Sequence, residues 1–116
     1  MKKLNESETK VFESILNGLN AERQILDVYS EKPLVFHKEH KQLSFVVSGK
    51  GFVQINNKVF NIERGSLILL PENTKHSFLC IEGNLILLHV HFPKIFGDED
   101  RFIFQEISEK WKKIIC

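Results

Sequence analysis

The chain has 116 residues, a length typical of a single domain that buries roughly two-thirds of its unfolded surface. Sixteen basic residues against fifteen acidic ones leave it nearly neutral, which gives no electrostatic argument for nucleic acid or for an acidic partner. No apolar run approaches the roughly 20 residues of a membrane span, and the first residues, MKKLNESETK, lack the apolar region of a signal peptide. We therefore expect a cytoplasmic protein with no direct nucleic-acid binding and no membrane association.

An amphipathic helix is predicted near the start of the chain. Within residues 5–19, apolar side chains recur at helical spacing: Val11, Phe12, Ile15, Leu16 and Leu19. Asn5, followed by Glu8 three residues later, fits the N-terminal cap of a helix. We expect residues 1–21 to form a helical extension that packs against an outer face of a sheet or against another subunit.

Short strands are predicted from residue 22 onward. The segment ERQILDVY (22–29) suits a first strand, and LVFH (34–37) suits a second one after the break at Pro33. The tract from His37 to Lys41 is too charged to be buried, and we interpret it as a loop or a strand edge.

Between Gln42 and Phe78, short apolar runs alternate with turn residues at nearly even spacing. The runs LSFVV, FVQI, VFNI and SLILL end at segments rich in Gly, Asn and Pro (48–51, 56–57, 63–65 and 71–74). The pair Asn56-Asn57 predicts a two-residue hairpin, while Ser48–Gly51 and Glu82–Asn84 predict a hairpin turn and a further turn. Together with LILLHVHF (85–92), these runs predict a β-sandwich or closed barrel over residues 22–95.

A second helix is predicted at the end of the chain, over residues 96–116. Apolar groups at helical spacing are Ile103, Ile107, Trp111 and Ile114. Lysines near the end of this segment suit the negative pole of a helix. The preceding Asp98-Glu99-Asp100 is interpreted as a solvated acidic cluster.

The two cysteines, Cys80 and Cys116, do not form a disulfide framework. Cys80 ends a predicted strand, and we expect it to act as a small buried side chain.

The central motifs resemble those of a known superfamily. The pattern G-x-G-F-V-x-I-N (49–56), followed by Gly65, Pro71 and His76 in G-x5-P-x4-H, resembles the cupins. More narrowly, it is similar to the sugar-sensing N-terminal domain of AraC-type transcription regulators. The resemblance implies a mainly β protein, a single small cupin barrel (a double-stranded β-helix or jelly roll), here with a helix at each end. It also implies a homodimer that pairs through the C-terminal helix.

The resemblance implies a candidate metal centre as well. His76 takes the place of the histidine in the second cupin motif, but Gln42 stands where a metal-binding Glu is expected, and His37 and His40 replace a His-x-His pair. Because strand side chains alternate between faces, His40 shares the face of Gln42, whereas His37 needs a bulge or a loop to point inward. The candidate ligands are therefore His37, His40 and His76, for a divalent ion such as Zn, Fe, Mn or Ni.

Alternation also predicts the lining of a small-molecule pocket inside the barrel. The candidate ligand-binding residues are Gln42, Ser44, Val46, His76, Phe78, His89 and His91. They combine apolar surface with a few convergent polar groups, as small-molecule sites usually do. The alternative is an interior filled by its own side chains, with hydrogen-bonded wall histidines.

Three functions remain open at this point. We favour a small-molecule sensor module (for a sugar or metabolite) without its own DNA-binding domain, of the kind used in transcription regulation. The alternative is a small metal-dependent cupin enzyme of the isomerase or dioxygenase type, with His40 and His76 as ligands. The third is a purely structural dimer module.

Overall fold

The computed structural model describes residues 1–30, 33–93 and 100–115. Its elements, in chain order, are β1 (Lys2–Lys3), α1 (Glu6–Gly18), β2 (Glu22–Leu26), β3 (Leu34–Phe36), β4 (Lys41–Ile55), β5 (Lys58–Glu63), β6 (Ser66–Leu70), β7 (His76–Phe92), β8 (Phe102–Gln105) and α2 (Glu109–Ile115). The prediction of a mainly β chain with a short helix at each end is confirmed.

Two long antiparallel strands, β4 and β7, form the backbone of the sheet. They pair along their whole length, from Lys41 opposite Phe92 to Ile55 opposite His76. The other edge of β4 carries β6 and then β5, and the other edge of β7 carries β2 and then β3. β1 extends the sheet beyond β6, and β8 extends it beyond β3. The sheet therefore has two halves that share the same two central strands.

The core lies between these two halves. Its buried apolar residues come from both of them: Leu26, Val46, Ile68, Leu70, Leu85 and Leu87 from one half, and Val53, Ile62, Phe78 and Cys80 from the other. Cys80 is fully buried here, as predicted, whereas Cys116 lies outside the described residues. The sheet thus folds over itself into a small barrel with an apolar interior.

Glycines allow β4 and β7 to bend and continue as strands, where the sequence predicted turns. The predicted turns at Ser48–Gly51 and Glu82–Asn84 are wrong, because both segments lie inside the long strands. Gly49 has a φ of 85° and Gly83 a φ of 68°. The pairing register of β4 with β7 shifts in the same region. A left-handed glycine in a paired strand produces a bulge and a sharper twist, not a chain reversal. The predicted hairpin at Asn56-Asn57 is confirmed, since it joins β4 to β5 and Asn56 has a φ of 53°.

Helix α1 packs on the outside of the first half of the sheet. Leu16 is buried against Phe45, Val47 and Leu88, and the Phe12 ring lies 5.0 Å from that of Phe45. The predicted cap is present, because the Asn5 side chain accepts from the Glu8 N–H and the Glu8 carboxylate accepts from the Asn5 N–H. The expected packing of this helix on an outer face is therefore confirmed.

The end of the chain differs from the predicted helix over 96–116. Residues 102–105 form β8, which pairs with β3, and α2 begins only at Glu109. FIFQ is also rich in aromatic and β-branched residues, which favour strands, and pairing with an available strand edge decides between helix and strand. Residues 96–99 and 116 lie outside the described residues.

Helix α2 covers the outer face of the second half of the sheet. Trp111 is fully buried, stacks on Phe52 and donates its indole N–H to Ser77 Oγ at 2.6 Å. Ser108 donates to the buried side chain of Gln54 beside it. Among residues 1–30, 33–93 and 100–115, no helix has the length and apolar character needed to cross a membrane.

Candidate functional site

The register of β4 and β7 places polar side chains in one inward-facing layer at one end of the barrel. Gln42 lies opposite His91, and Ser44 lies opposite His89. Two residues further along β4, Val46 belongs to the apolar core. Side-chain alternation predicted this shared face, and the structure shows Gln42, Ser44 and His89 buried on it.

His89 is the centre of a closed hydrogen-bond network. Its Nδ1 lies 2.7 Å from Ser44 Oγ and 3.1 Å from Gln42 Nε2, and its Nε2 lies 2.8 Å from Gln24 Oε1. Burial is the main cause that lowers the pKa of His89, from 6.5 to about 3, and the charges of His91 and His76 add to it. The ring is therefore neutral near pH 7. Gln24 on β2 was not predicted, although its parity with the buried Leu26 would have indicated it.

The loop between β3 and β4 contributes two more buried histidines. The prediction that residues 37–41 are too charged to be buried is wrong for His37 and His40, which are 7% and 1% exposed. The charged Lys38 and Glu39 between them point to solvent. Burial of this tract therefore removes only the two imidazoles from water, and no charged side chain. His37 Nε2 lies 3.1 Å from Gln42 Oε1, and His37 Nδ1 lies 2.7 Å from the carbonyl oxygen of Asp100.

Asp100 holds this loop in place from the far end of the chain. Its carboxylate accepts hydrogen bonds from the Lys38 and Glu39 N–H groups, at 3.0 and 2.8 Å, and lies 2.7 Å from His40 Nδ1. Burial raises the pKa of Asp100, but the hydrogen bonds from Glu39, Lys38 and His40 outweigh it and hold the pKa below its usual value. The predicted solvated acidic cluster is therefore wrong for Asp100, whereas Asp98 and Glu99 lie outside the described residues.

Four imidazoles meet at this end of the barrel. The His37 ring lies 4.2 Å from His40, 5.1 Å from His76 and 5.9 Å from His91, and the rings of His40 and His91 lie 4.8 Å apart. His76 faces inward, as predicted, and its Nδ1 lies 3.1 Å from the Thr74 carbonyl. Burial lowers its pKa to about 4 despite that hydrogen bond. The Phe78 ring contacts both His76 and His89, and so forms the apolar floor of the layer.

Two nitrogen atoms in this cluster have no hydrogen-bond partner. Within the described part of the chain, they are the only buried side-chain nitrogen or oxygen atoms without one: His40 Nε2 and His91 Nδ1. The other nitrogen of His91 lies 3.5 Å from a carboxylate oxygen of Glu22, at the rim. Burial lowers the pKa of His91, the charge of His40 lowers it further, and Glu22 opposes both.

The predicted metal ligands lie together but are not arranged as a metal centre. Both nitrogens of His37 have protein partners, and so do one nitrogen of His40 and one of His76. The Gln42 amide bonds to three neighbours where a carboxylate ligand is expected. In the ranges 1–30, 33–93 and 100–115, no group of three or more His, Cys, Asp or Glu is placed to hold a metal ion. His37 has no nitrogen left for a metal, whereas His40 and His76 each keep one, as metal-ligating histidines do. It is the placement of these side chains that does not fit the metal of the superfamily.

The central part of the chain matches the family model described as the Cupin domain, over residues 24–91. The chain belongs to the cupin family. The match agrees with the folded-over sheet and the inward histidines, and it confirms the cupin resemblance seen in the sequence. The comparisons do not show the narrower likeness to AraC-type sensor domains, and no curated protein sequence matches this chain.

Several solved structures have a similar fold. A tyrosine variant of Streptomyces PAC13 with uridine is 23% identical, with a TM-score of 0.59, over 78% of this chain and 72% of that one. A conserved protein with a double-stranded β-helix domain from Klebsiella pneumoniae is 16% identical, with a TM-score of 0.62, over 70% of each chain. Salicylate 1,2-dioxygenase from Pseudoaminobacter salicylatoxidans, a variant with gentisate, is 19% identical, with a TM-score of 0.54, over 58% of this chain and 18% of that one. At such identities the likeness shows the fold alone.

Proposed function

We propose that this cupin domain binds a small polar molecule at the histidine end of its barrel, as a sensor module of the kind that AraC-type regulators use. In this proposal the domain itself carries out no chemistry on the ligand. Its binding site consists of the residues predicted from the sequence, Gln42, Ser44, Val46, His76, Phe78, His89 and His91, together with His40.

One observation carries the proposal: the buried nitrogens His40 Nε2 and His91 Nδ1 have no partner. A buried polar atom without a hydrogen bond costs about 1–3 kcal/mol, so folded proteins rarely keep one. Here two such atoms belong to neighbouring rings 4.8 Å apart, in a layer where the surrounding polar groups bond to one another. A bound molecule that donates to both nitrogens removes this cost.

The composition of the layer supports a small ligand. The polar groups lie on an apolar floor of Phe78 and Val46, which is the usual make-up of a small-molecule site. PAC13 of Streptomyces, which has a similar fold, was solved with uridine, a small and hydroxyl-rich molecule. A molecule of that size and polarity is what we propose for this domain.

Thermal unfolding of the untagged protein tests the proposal, with a panel of pentoses, hexoses and nucleosides that includes uridine. A ligand at one hundred times its Kd should stabilise the fold by about 2.7 kcal/mol and raise Tm accordingly. His91→Phe should remove that gain, whereas Tyr29→Phe, a change in an exposed ring outside the layer, should keep it. If no compound of the panel raises Tm, the proposal is wrong.

The metal-dependent enzyme of the sequence analysis remains the alternative, but no feature of the site favours it. Of its three predicted ligands, His37 has both nitrogens bonded to protein groups, and the part of the chain that the structure describes places no three ligands around a metal ion. We therefore propose no reaction.

A further inference from the structure

The unpartnered nitrogen of His40 belongs to a ring whose other nitrogen faces a carboxylate. Asp100 Oδ2 lies 2.7 Å from His40 Nδ1, and the ring is almost completely buried. An ionised carboxylate only accepts hydrogen bonds, so Nδ1 must carry the proton and donate it. In a neutral ring this leaves a lone pair on Nε2, which is therefore a hydrogen-bond acceptor.

The same logic applies to His91. Its Nε2 lies 3.5 Å from a carboxylate oxygen of Glu22, a longer contact at the rim, which favours the proton on Nε2 and so the lone pair on the buried Nδ1. The rings of His40 and His91 are nearly perpendicular, with an interplanar angle of 77°, and no hydrogen bond joins them. Two acceptors therefore lie side by side without a donor.

The charges around the two acceptors select the kind of donor. The Asp100 carboxylate already accepts from two backbone N–H groups and from His40, and the Glu22 side chain is 65% exposed at the rim. An organic cation would find no free carboxylate beside these rings, and an unpaired buried charge is costly. For a metal ion, the described residues place no group of three or more His, Cys, Asp or Glu around one position. Neutral hydroxyl groups supply donors without that cost.

We propose that Asp100 is a positioning residue that fixes His40 as an acceptor, and that the ligand is a neutral polyhydroxylated molecule. Its hydroxyl groups donate to His40 Nε2 and His91 Nδ1. The ligand class rests on the proposed function of the barrel, whereas the role of Asp100 is a property of the protein without ligand.

The first arm of the test measures the imidazole protons directly. In nitrogen–proton correlation spectra of the free protein at neutral pH, His40 should carry its proton on Nδ1 and have a lone pair on Nε2. D100A should weaken this preference, because alanine removes the acceptor that holds the proton on Nδ1, whereas the amide oxygen of D100N could replace Oδ2 and keep it. His89, whose Nε2 faces Gln24, serves as the internal control, and Asp27→Asn controls for the lost charge at an exposed site.

A proton on His40 Nε2 in the wild-type protein overturns the role of Asp100, and so does a D100A protein with an unchanged His40 tautomer. D100A also loses the two backbone bonds of the carboxylate and is expected to be less stable. The His40 tautomer is measured on the folded fraction of the protein, and a loss of stability alone does not change it.

The second arm uses D-ribose and 2-deoxy-D-ribose as probes. Ribose should shift the resonances of His40 Nε2 and His91 Nδ1, and removal of one donating hydroxyl should weaken binding about tenfold. D100A should weaken ribose binding by a similar factor. Equal binding of the two sugars, or binding of Zn²⁺ at the two nitrogens in place of ribose, overturns the ligand class but leaves the binding role of the barrel standing. If ribose and the wider panel all fail to bind, the proposed function and the ligand class fall together, and the first arm still decides the role of Asp100.

Discussion

Gln42 illustrates how one side chain sets the chemistry of the histidine layer. Its amide accepts at Oε1, which lies 3.1 Å from His37 Nε2, and donates from Nε2 to Ser44 and His89. A carboxylate at this position has no protons to give, so it would break the bond to His89 Nδ1 unless that ring changed its own protonation. The amide therefore suits a layer of neutral rings better than the Glu expected for a metal-binding cupin.

Metal content is the first property that follows from this arrangement. Protein purified without a histidine tag should hold well below one equivalent of Zn, Fe, Mn or Ni, because both nitrogens of His37 are engaged by protein groups and the described residues place no three ligands around one metal position. Elemental analysis of the wild-type protein and of His76→Ala measures this. About one equivalent of metal that disappears in His76→Ala would contradict the expectation and would favour the enzyme.

The buried neutral histidines also predict a pH dependence of stability. The pKa values of His76 and His89 fall from 6.5 to about 4 and about 3, so between these values and 6.5 the unfolded chain binds more protons than the folded one. Above pH 6.5 the free energy of unfolding includes the full contribution of these two rings. It decreases as the pH falls, by up to about 1.4 kcal/mol per pH unit for each ring. Urea unfolding at several pH values between 7 and 4 should show this loss. His89→Gln should have a shallower slope, and a slope equal to that of the wild type would contradict the assignment.

At the scale of the elements, β4 and β7 are long because their glycines permit bends that other residues do not. A Cβ at Gly49 would lie 2.2 Å from the Asn84 carbonyl oxygen, and one at Gly51 would lie 2.1 Å from that of Leu79. Backbone approaches this close require glycine, whatever its φ. At Gly83, in contrast, a Cβ would meet no atom within 4 Å, so only the positive φ disfavours a residue other than glycine.

These three glycines form a matched series of variants. Gly83→Ala tests backbone strain alone and should cost about 1–2 kcal/mol. Gly51→Ala, whose φ is not positive, tests the steric clash alone, and Gly49→Ala combines both effects. The last two should cost about 3 kcal/mol or more, or prevent folding, since backbone atoms cannot move aside as side-chain ends can. Unfolding in urea gives the three values, and a Gly83→Ala cost equal to that of Gly51→Ala would argue against this account.

At the scale of the whole molecule, the local patterns of the sequence were sufficient to predict the barrel. They were not sufficient to predict the contact of Asp100 with the loop between β3 and β4. Alternation within each strand correctly placed Gln42, Ser44, His76 and His89 on one inner face, because that period is a property of the strand itself. Asp100 contacts a loop 60 residues away, and no local pattern contains that distance. The bulges were missed for a related reason, since the same glycine serves in a turn or in a bent strand until its partner strand is known.

Subunit pairing is the remaining property of the whole molecule that the structure lets us sharpen. The sequence analysis predicted a dimer through Ile103, Ile107, Trp111 and Ile114; Trp111 is buried in its own barrel, whereas the three isoleucines are exposed. Helix α1 and its C-cap expose a second apolar stripe, in which Val11 is 60%, Ile15 52% and Leu19 65% exposed. Surface stripes of this kind usually mark contacts, so we predict a dimer that buries α1. Sedimentation velocity should show that Ile15→Lys dissociates it and that Ile107→Lys, at a half-exposed site on the C-terminal segment, does not. The reverse result would place the interface at the C-terminal segment. A monomeric wild-type protein would contradict both interfaces, because the apolar stripe of α1 would then stay in contact with water.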